Sequence, residues 1–181
     1  MVRIVDMASE GLALHICGLI TRPGQNPLDL AESIVAAGEG TLCWRNGWIA
    51  EVDGHVGAGM ISFRLGDVPA EPDELLPKLK PLWALERRVQ GLYYVYAIAT
   101  FDEFRGRGLG RALMLTAEQH AESAPSICLI VADRNLPARR LYASLGYVDE
   151  ASEAIITNGW HCDSQNWILM VKPLSQDDAG L

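Results

Sequence analysis

No apolar run in this 181-residue chain approaches the roughly 18 residues a membrane-spanning helix needs. The first residues also lack the charged and apolar arrangement of a secretory signal. Cysteine is sparse. Cys17, Cys43, Cys128 and Cys162 are the four, and no pair has C-x-x-C spacing. Cys43, Cys128 and Cys17 sit in apolar runs, which predicts reduced packing thiols rather than a disulfide framework or a metal site. The expectation is a cytoplasmic protein with no membrane partner and no metal. Basic charge is short as well: 15 Lys and Arg face 23 Asp and Glu, for a net charge of −8. No basic patch dominates, which argues against nucleic acid as a partner. The acidity agrees with a cationic ligand, and simple solubility explains it as well. No internal repeat or low-complexity tract is visible.

What is present fits one domain with room for one inserted segment. A chain of this length buries roughly 70% of its unfolded surface, enough for a core without staples. The hydrophobic share, 49%, is ordinary. The most informative stretch runs from Tyr93 to Ser123. It opens on an apolar and aromatic run, Tyr93 to Thr100, passes a polar turn at Phe101 to Phe104, and reaches Arg105-Gly106-Arg107-Gly108-Leu109-Gly110-Arg111. Leu109, Ala112, Leu113, Thr116, Ala117, His120 and Ala121 then share one helical face. The pattern predicts strand, glycine-rich turn, helix.

Such a turn makes an anion site. The first N–H groups of a helix have no intrahelical partner, and the helix dipole adds partial positive charge there. Glycine allows close backbone approach and positive φ. Arg105, Arg107 and Arg111 add full charges, so the expected guest is a phosphate or pyrophosphate. A P-loop would need Lys-Ser or Lys-Thr after its last glycine, but Arg111-Ala112 follows Gly110. A dinucleotide fold would need G-x-G-x-x-G, but Gly106, Gly108 and Gly110 lie two apart. What remains is R-x-x-G-x-G over Arg105 to Gly110. A glycine-rich turn with solvated arginines is the plain structural alternative.

Here the chain resembles the GNAT superfamily of acyl-CoA-dependent N-acyltransferases. A second stretch strengthens the resemblance. Asn135-Leu136-Pro137-Ala138-Arg139-Arg140-Leu141-Tyr142-Ala143-Ser144-Leu145-Gly146-Tyr147 is similar to the family's N-x-x-A-x-x-L-Y-x-x-x-G-Y/F signature, and it follows an apolar, strand-like run from Ile127 to Ala132. The two motifs stand in the family's order and separation. The resemblance covers about Val2 to Leu174, with specific motifs only between Tyr93 and Tyr147. It implies an α/β fold with a mixed, mostly antiparallel sheet of about seven strands and helices on both faces. It also implies acetyl-CoA, or another acyl-CoA, as co-substrate, with a small-molecule amine or a protein N-terminus as acceptor; many relatives form homodimers.

The remaining elements follow from local pattern. Val2 to Met7 reads as a first strand. A helix then runs through Leu12, His15, Ile16 and Leu19 and breaks at Arg22 to Pro27, and a second covers Leu28 to Ala37. Thr41 to Val52 and His55 to Leu65 read as a hairpin about Asp53-Gly54. Gly57 and Gly59 mark a bulge or a close backbone approach. Gly66 to Gln90 holds Pro69, Pro72, Pro77 and Pro81, so no single helix spans it. This is the least family-like segment, readable as a lid over the acceptor or as a structural elaboration, with a helical turn or two from Trp83 to Val89. Ser126 to Ala132 suits a central strand buried on both faces. Leu136 to Leu145 reads as a helix with Pro137 in its first turn and Gly146 at its C′ position. Tyr147 to Ile156 and Asn166 to Lys172 read as the last strands, and 175–181 as a flexible tail after a domain of 1–174.

Roles follow from the resemblance, residue by residue. The pyrophosphate would meet the loop and helix start, Arg105, Gly106, Arg107, Gly108, Leu109, Gly110 and Arg111. The pantetheine arm would add to the strand at Ile98, Ala99 and Thr100 by backbone hydrogen bonds, with an N–H near Ile98 polarising the thioester carbonyl. Asn135, Ala138 and Arg139 would face the coenzyme, although Asn135 also reads as a helix N-cap. Tyr142 matches the tyrosine that protonates the leaving thiolate; its alternative is aromatic packing beside Leu141 and Leu145. A free phenol, of pKa about 10, lies close enough to a thiol for that role. A base is not evident. The two central strands offer Tyr94, Tyr96 and Ile130 where relatives carry a carboxylate or histidine. A water chain to Glu51, Glu103 or His161 is the remaining route, and a low-pKa acceptor would need none. The expected function is therefore N-acetyl transfer to a primary amine. The alternatives are a non-catalytic acyl-CoA-binding sensor and a phosphate-binding structural module.

Overall fold

Asp53 and Gly54 sit at φ 52° and 75°, the left-handed pair that a tight hairpin turn requires. They join strand β1 (Gly47–Val52) to β2 (His55–Arg64). This computed structural model describes residues 1–70, 72, 74–121 and 123–174; the expected tail at 175–181 lies outside the described residues. The described elements, in order, are helices α1 (Val2–Ala8), α2 (Leu12–Ile20) and α3 (Pro27–Ala36), then β1 and β2, then helix α4 (Lys80–Arg87) and strand β3 (Tyr93–Thr100). Helix α5 (Leu109–His120), strand β4 (Ser126–Ala132), helix α6 (Leu136–Ser144) and strands β5 (Val148–Ala154) and β6 (Asn166–Pro173) complete the chain. The sheet has six strands in the order β1-β2-β3-β4-β6-β5. The β3–β4 pair is parallel, and the β1–β2, β4–β6 and β5–β6 pairs are antiparallel. This is the mixed, mostly antiparallel α/β class expected, with six strands rather than about seven.

The missing strand is the first one. Val2 to Met7 forms helix α1, not a strand. The Val5 amide donates to the Met1 carbonyl (3.1 Å) and the Ser9 amide to the Val5 carbonyl (3.0 Å). Met1, Val5 and Ala8 recur at helical spacing and pack with Ile61 and Ala97. A six-residue apolar run carries too little periodicity to separate the two periods. Two side chains join α1 to α2: the Asp6 carboxylate accepts from the Leu14 amide (3.0 Å) and the Ser9 hydroxyl from the Ala13 amide (3.1 Å). The segment 41–46 is not strand either; Trp44–Asn46 is a short 3₁₀ turn, and β1 starts only at Gly47.

The described chain divides into two compact units. The first comprises Met1–Phe63 and Tyr96–Ala117, the second Arg64–Val95 and the chain from Glu118 on. In the first unit, the close approach signalled by Gly57 and Gly59 is present. A Cβ at Gly57 would lie 2.7 Å from Leu109 Cδ1 and 3.0 Å from Phe104 Cγ, and one at Gly59 would lie 3.1 Å from Ile4 Cγ1. The β1–β2 register also shifts between Ala50 and Glu51, opposite Gly57, so the bulge is present too. In the second unit, Ile127, Cys128 and Leu129 are buried on β4, which pairs with β6 along its whole length, from Ser126↔Pro173 to Ala132↔Trp167. Helix α4 accommodates Pro81 in its first turn and packs against β5 and β6, burying Leu85.

Candidate active site

The first unit carries the loop. Phe101 leaves β3 with its amide on the Gly57 carbonyl (3.0 Å), and a 3₁₀ turn at Asp102–Phe104 brings the chain to Arg105. Leu109 and Phe104 fill the space that Gly57 leaves open, and this anchors both ends of the loop. Gly106 and Gly108 take φ of 74° and 80°, the left-handed region where a side chain is strained. Among the described residues, a Cβ at either would meet no atom within 4 Å. Backbone geometry therefore demands these glycines, and the space beside them is open among the described residues. Gly108 begins α5: its carbonyl accepts from the Ala112 amide at 3.0 Å. The first α5 amides, from Leu109 on, belong to the helix turn whose N–H groups have no intrahelical acceptor. Arg105 pairs with Asp102 (2.7 Å) on the surface, and the Arg107 guanidinium lies 5.3 Å from the Phe104 ring centroid. The loop therefore offers orphan amides, a helix dipole and exposed cations, the donor set a pyrophosphate needs.

The second unit carries the other motif. The Asn135 side chain accepts from the Ala138 amide at 3.3 Å, the N-cap alternative foreseen for it. The Ala138 amide is thereby engaged. Arg139 pairs with Asp149, while its Nε is buried without a hydrogen-bond partner among the described residues. Tyr142 is 5% exposed, and Gly146 at φ 93° ends the helix and returns the Tyr147 amide to the Tyr142 carbonyl (3.1 Å). The Tyr142 and Tyr147 rings are tilted by 57° with centroids 6.1 Å apart. Burial raises the Tyr142 phenol above its ordinary value. It stays protonated at every physiological pH and is a weaker acid than a free phenol.

The base candidates read from sequence are surface residues. Glu51, Glu103 and His161 are exposed, and His161 Nε2 lies 3.3 Å from the Asp163 carboxylate. The carboxyl that sequence reasoning missed is Glu86 on α4. Burial pushes it up to about 7, with a hydrogen bond from Tyr94 pulling partly back. Its neighbour Cys128 is pushed up to about 12 by burial and by that carboxyl. A glutamate next to Leu85 on the packed side of α4 was the available signal. Also missed was the cluster of Glu118, Tyr147 and Lys172, in which Lys172 Nζ meets Glu118 Oε2 at 2.7 Å. Among the described residues no His, Cys, Asp or Glu cluster could hold a metal, and no helix is long and apolar enough to cross a membrane.

Comparison with known proteins bears on the same residues. The family model described as acetyltransferase (GNAT) matches residues 27–147, which include both motifs. Among solved structures, an N-acetyltransferase from Staphylococcus aureus Mu50 is 18% identical, covering 94% of this chain and 92% of that one, with a TM-score of 0.63. The ribosomal-protein-S18-alanine N-acetyltransferase from Escherichia coli is 19% identical over 83% of this chain and 81% of its own, with a TM-score of 0.53. An agmatine N-acetyltransferase is 19% identical over 71% of this chain and 76% of its own, with a TM-score of 0.58. A comparison with curated proteins finds no match.

Proposed function

Since this chain belongs to the GNAT family of acetyltransferases, we propose that it moves an acetyl group from acetyl-CoA to a primary amine of a small molecule or a protein N-terminus. The family implies an acyl-CoA co-substrate. The observation that carries the reading is the pair Gly106 and Gly108, held at positive φ beside open space at the start of α5. In this reading the pyrophosphate lies against the amides of Arg107 to Gly110, and Arg105 and Arg111 supply charge. The pantetheine arm follows the backbone of Ile98, Ala99 and Thr100. Support comes from the β3–β4 ladder, which spans three residue pairs, Tyr93↔Ile127 to Val95↔Leu129, in strands of eight and seven residues.

The chemistry is one substitution at the thioester carbonyl. The neutral amine adds to the carbonyl carbon, its nitrogen loses one proton to solvent, the C–S bond breaks, an amide forms, and the sulfur leaves as thiolate. Tyr142 gives that sulfur its proton. Asn135 and Arg139 shape the start of α6, where they reach the coenzyme. Two named neighbours suggest the range of acceptors: one acts on agmatine, a small amine, and the other on the alanine of a ribosomal protein. The exposure of Glu51, Glu103 and His161 favours one second reading, an acyl-CoA sensor without turnover. A screen of thiol release from acetyl-CoA with small amines and N-terminal peptides decides between them. Amine-dependent release that falls at least a hundredfold in Tyr142→Phe supports the enzyme; tight acetyl-CoA binding with no release for any amine supports the sensor.

A further inference from the structure

We infer that Tyr147, Glu118 and Lys172 form a proton relay behind Tyr142, so that the leaving thiolate draws its proton from a buried chain rather than from a lone phenol. The inference rests on the reading of Tyr142 as the proton donor. Tyr142 is 5% exposed. If it gave up its proton alone, a phenolate would be left in an apolar site, which is costly. A donor in that position works only if its proton is replaced as it leaves.

The replacement path stands next to it. Tyr147 is 2% exposed and its ring lies 6.1 Å from that of Tyr142. Its hydroxyl is buried, and its polar neighbour is the Glu118 carboxylate. Glu118 Oε1 is buried as well, and after burial the Glu118 carboxylate raises the Tyr147 phenol by its charge and by a side-chain hydrogen bond. The other carboxylate oxygen, Oε2, is held by Lys172 Nζ at 2.7 Å, and that ammonium lies 5.9 Å from the Tyr147 ring centroid. Lys172 is the open end, with 24% of its side chain exposed against 14% for Glu118. The groups facing Tyr147 are thus Glu118 from α5, Lys172 from β6, Cys128 from β4 and Tyr142 from α6, with Glu86 of α4 beyond Cys128. A packing role alone does not explain the hydroxyl. Phenylalanine would fill the same space without burying a hydroxyl beside a carboxylate.

As the C–S bond breaks, the sulfur takes the Tyr142 hydroxyl proton. The Tyr142 oxygen takes one from Tyr147, directly or over one bridging water. The Lys172 ammonium protonates Glu118 at Oε2, and the carboxyl group turns and passes that proton to the Tyr147 oxygen. The net change is one proton moved from Lys172 to the thiol, with no change of oxidation state. Lys172 then regains its proton from solvent. Tyr147, Glu118 and Lys172 are positioning residues, since none touches the thioester.

The test is single-turnover thiol release from acetyl-CoA with hydroxylamine, a nucleophile already neutral at pH 7, which isolates the acid step from the base step. Tyr147→Phe should release thiol at least tenfold more slowly, with acetyl-CoA affinity within twofold. Its dependence on the D₂O fraction should turn from curved to linear as only the Tyr142 proton remains in flight. Lys172→Arg separates relay from scaffold. It keeps the charge pair with Glu118, but arginine does not give up its proton. The relay predicts a loss as large as in Tyr147→Phe at an unchanged Tm; a structural ion pair predicts no loss. The inference is overturned if Tyr142→Phe is slow while Tyr147→Phe and Lys172→Arg both stay within twofold of wild type. If Tyr142→Phe is itself within twofold, or wild type binds acetyl-CoA without releasing thiol, the donor reading fails and the relay with it.

Discussion

At the scale of single residues, Gly106 and Gly108 matter most. Both need positive φ, and among the described residues neither has a protein atom where a side chain would go. The sequence showed their spacing, and spacing was enough to exclude a P-loop and a dinucleotide fold. Gly108→Glu should therefore abolish acetyl-CoA binding, since it strains the backbone and sets a carboxylate where the pyrophosphate is proposed to lie. Calorimetry checks this: at least a hundredfold loss with an unchanged circular dichroism spectrum is expected, and unchanged affinity removes the loop from the account. Other residues were less legible. Arg139 reads as a coenzyme contact, yet its guanidinium pairs with Asp149, a residue ten positions away on a different element. Tyr142 reads as a phenol of ordinary acidity. Only the packing of α6 reveals that burial makes it a weaker acid.

At the scale of elements, patterns with local causes were legible. Asp53-Gly54 fixes its hairpin through two positive φ values, and Pro137 with Gly146 brackets α6. Val2 to Met7 was misread because its partners, Ile61 and Ala97, are far away in sequence, and only those contacts choose helix over strand. Asp133 escaped notice for the same reason. It stands just past β4, where its Oδ1 accepts from the Gln165 amide (3.1 Å) and its Oδ2 from the amide and side chain of Asn166 (both 3.1 Å). Those bonds fix the start of β6 and the end of the 155–165 loop. Burial alone would raise the Asp133 carboxyl. The Asn166 side chain and the Gln165, Asn166 and Arg134 amides outweigh it and hold the carboxyl below its ordinary value. The bonds therefore contribute fully above the unfolded pKa of about 3.9 and are lost as pH falls through the lower folded value. Asp133→Ala should cost about 1–3 kcal/mol at pH 7 and progressively less in acid. Urea unfolding at pH 7 and below pH 3 reads the difference, and an equal cost at both would contradict it.

At the scale of the whole molecule, pH acts in the opposite direction through Glu86. Its folded carboxyl lies at about 7, above the ordinary 4.5, because of burial. Between those values the folded protein holds a proton that the unfolded chain has released, so stability falls as pH rises across that window. Glu86→Gln should flatten this fall, leaving the variant relatively more stable at pH 7.5 than at pH 5. Denaturant midpoints at the two pH values check it, and parallel curves for both proteins would contradict it. Family membership, the sheet and both motifs converge on one claim, that the chain holds acyl-CoA by its pyrophosphate and pantetheine together. Calorimetric titration with acetyl-CoA, with inorganic pyrophosphate as control, tests that claim most directly. The account predicts micromolar binding of acetyl-CoA and little binding of pyrophosphate. No binding, or equal binding of both, would mean that the glycine loop is only an anion cradle and that acyl transfer is not what this chain does.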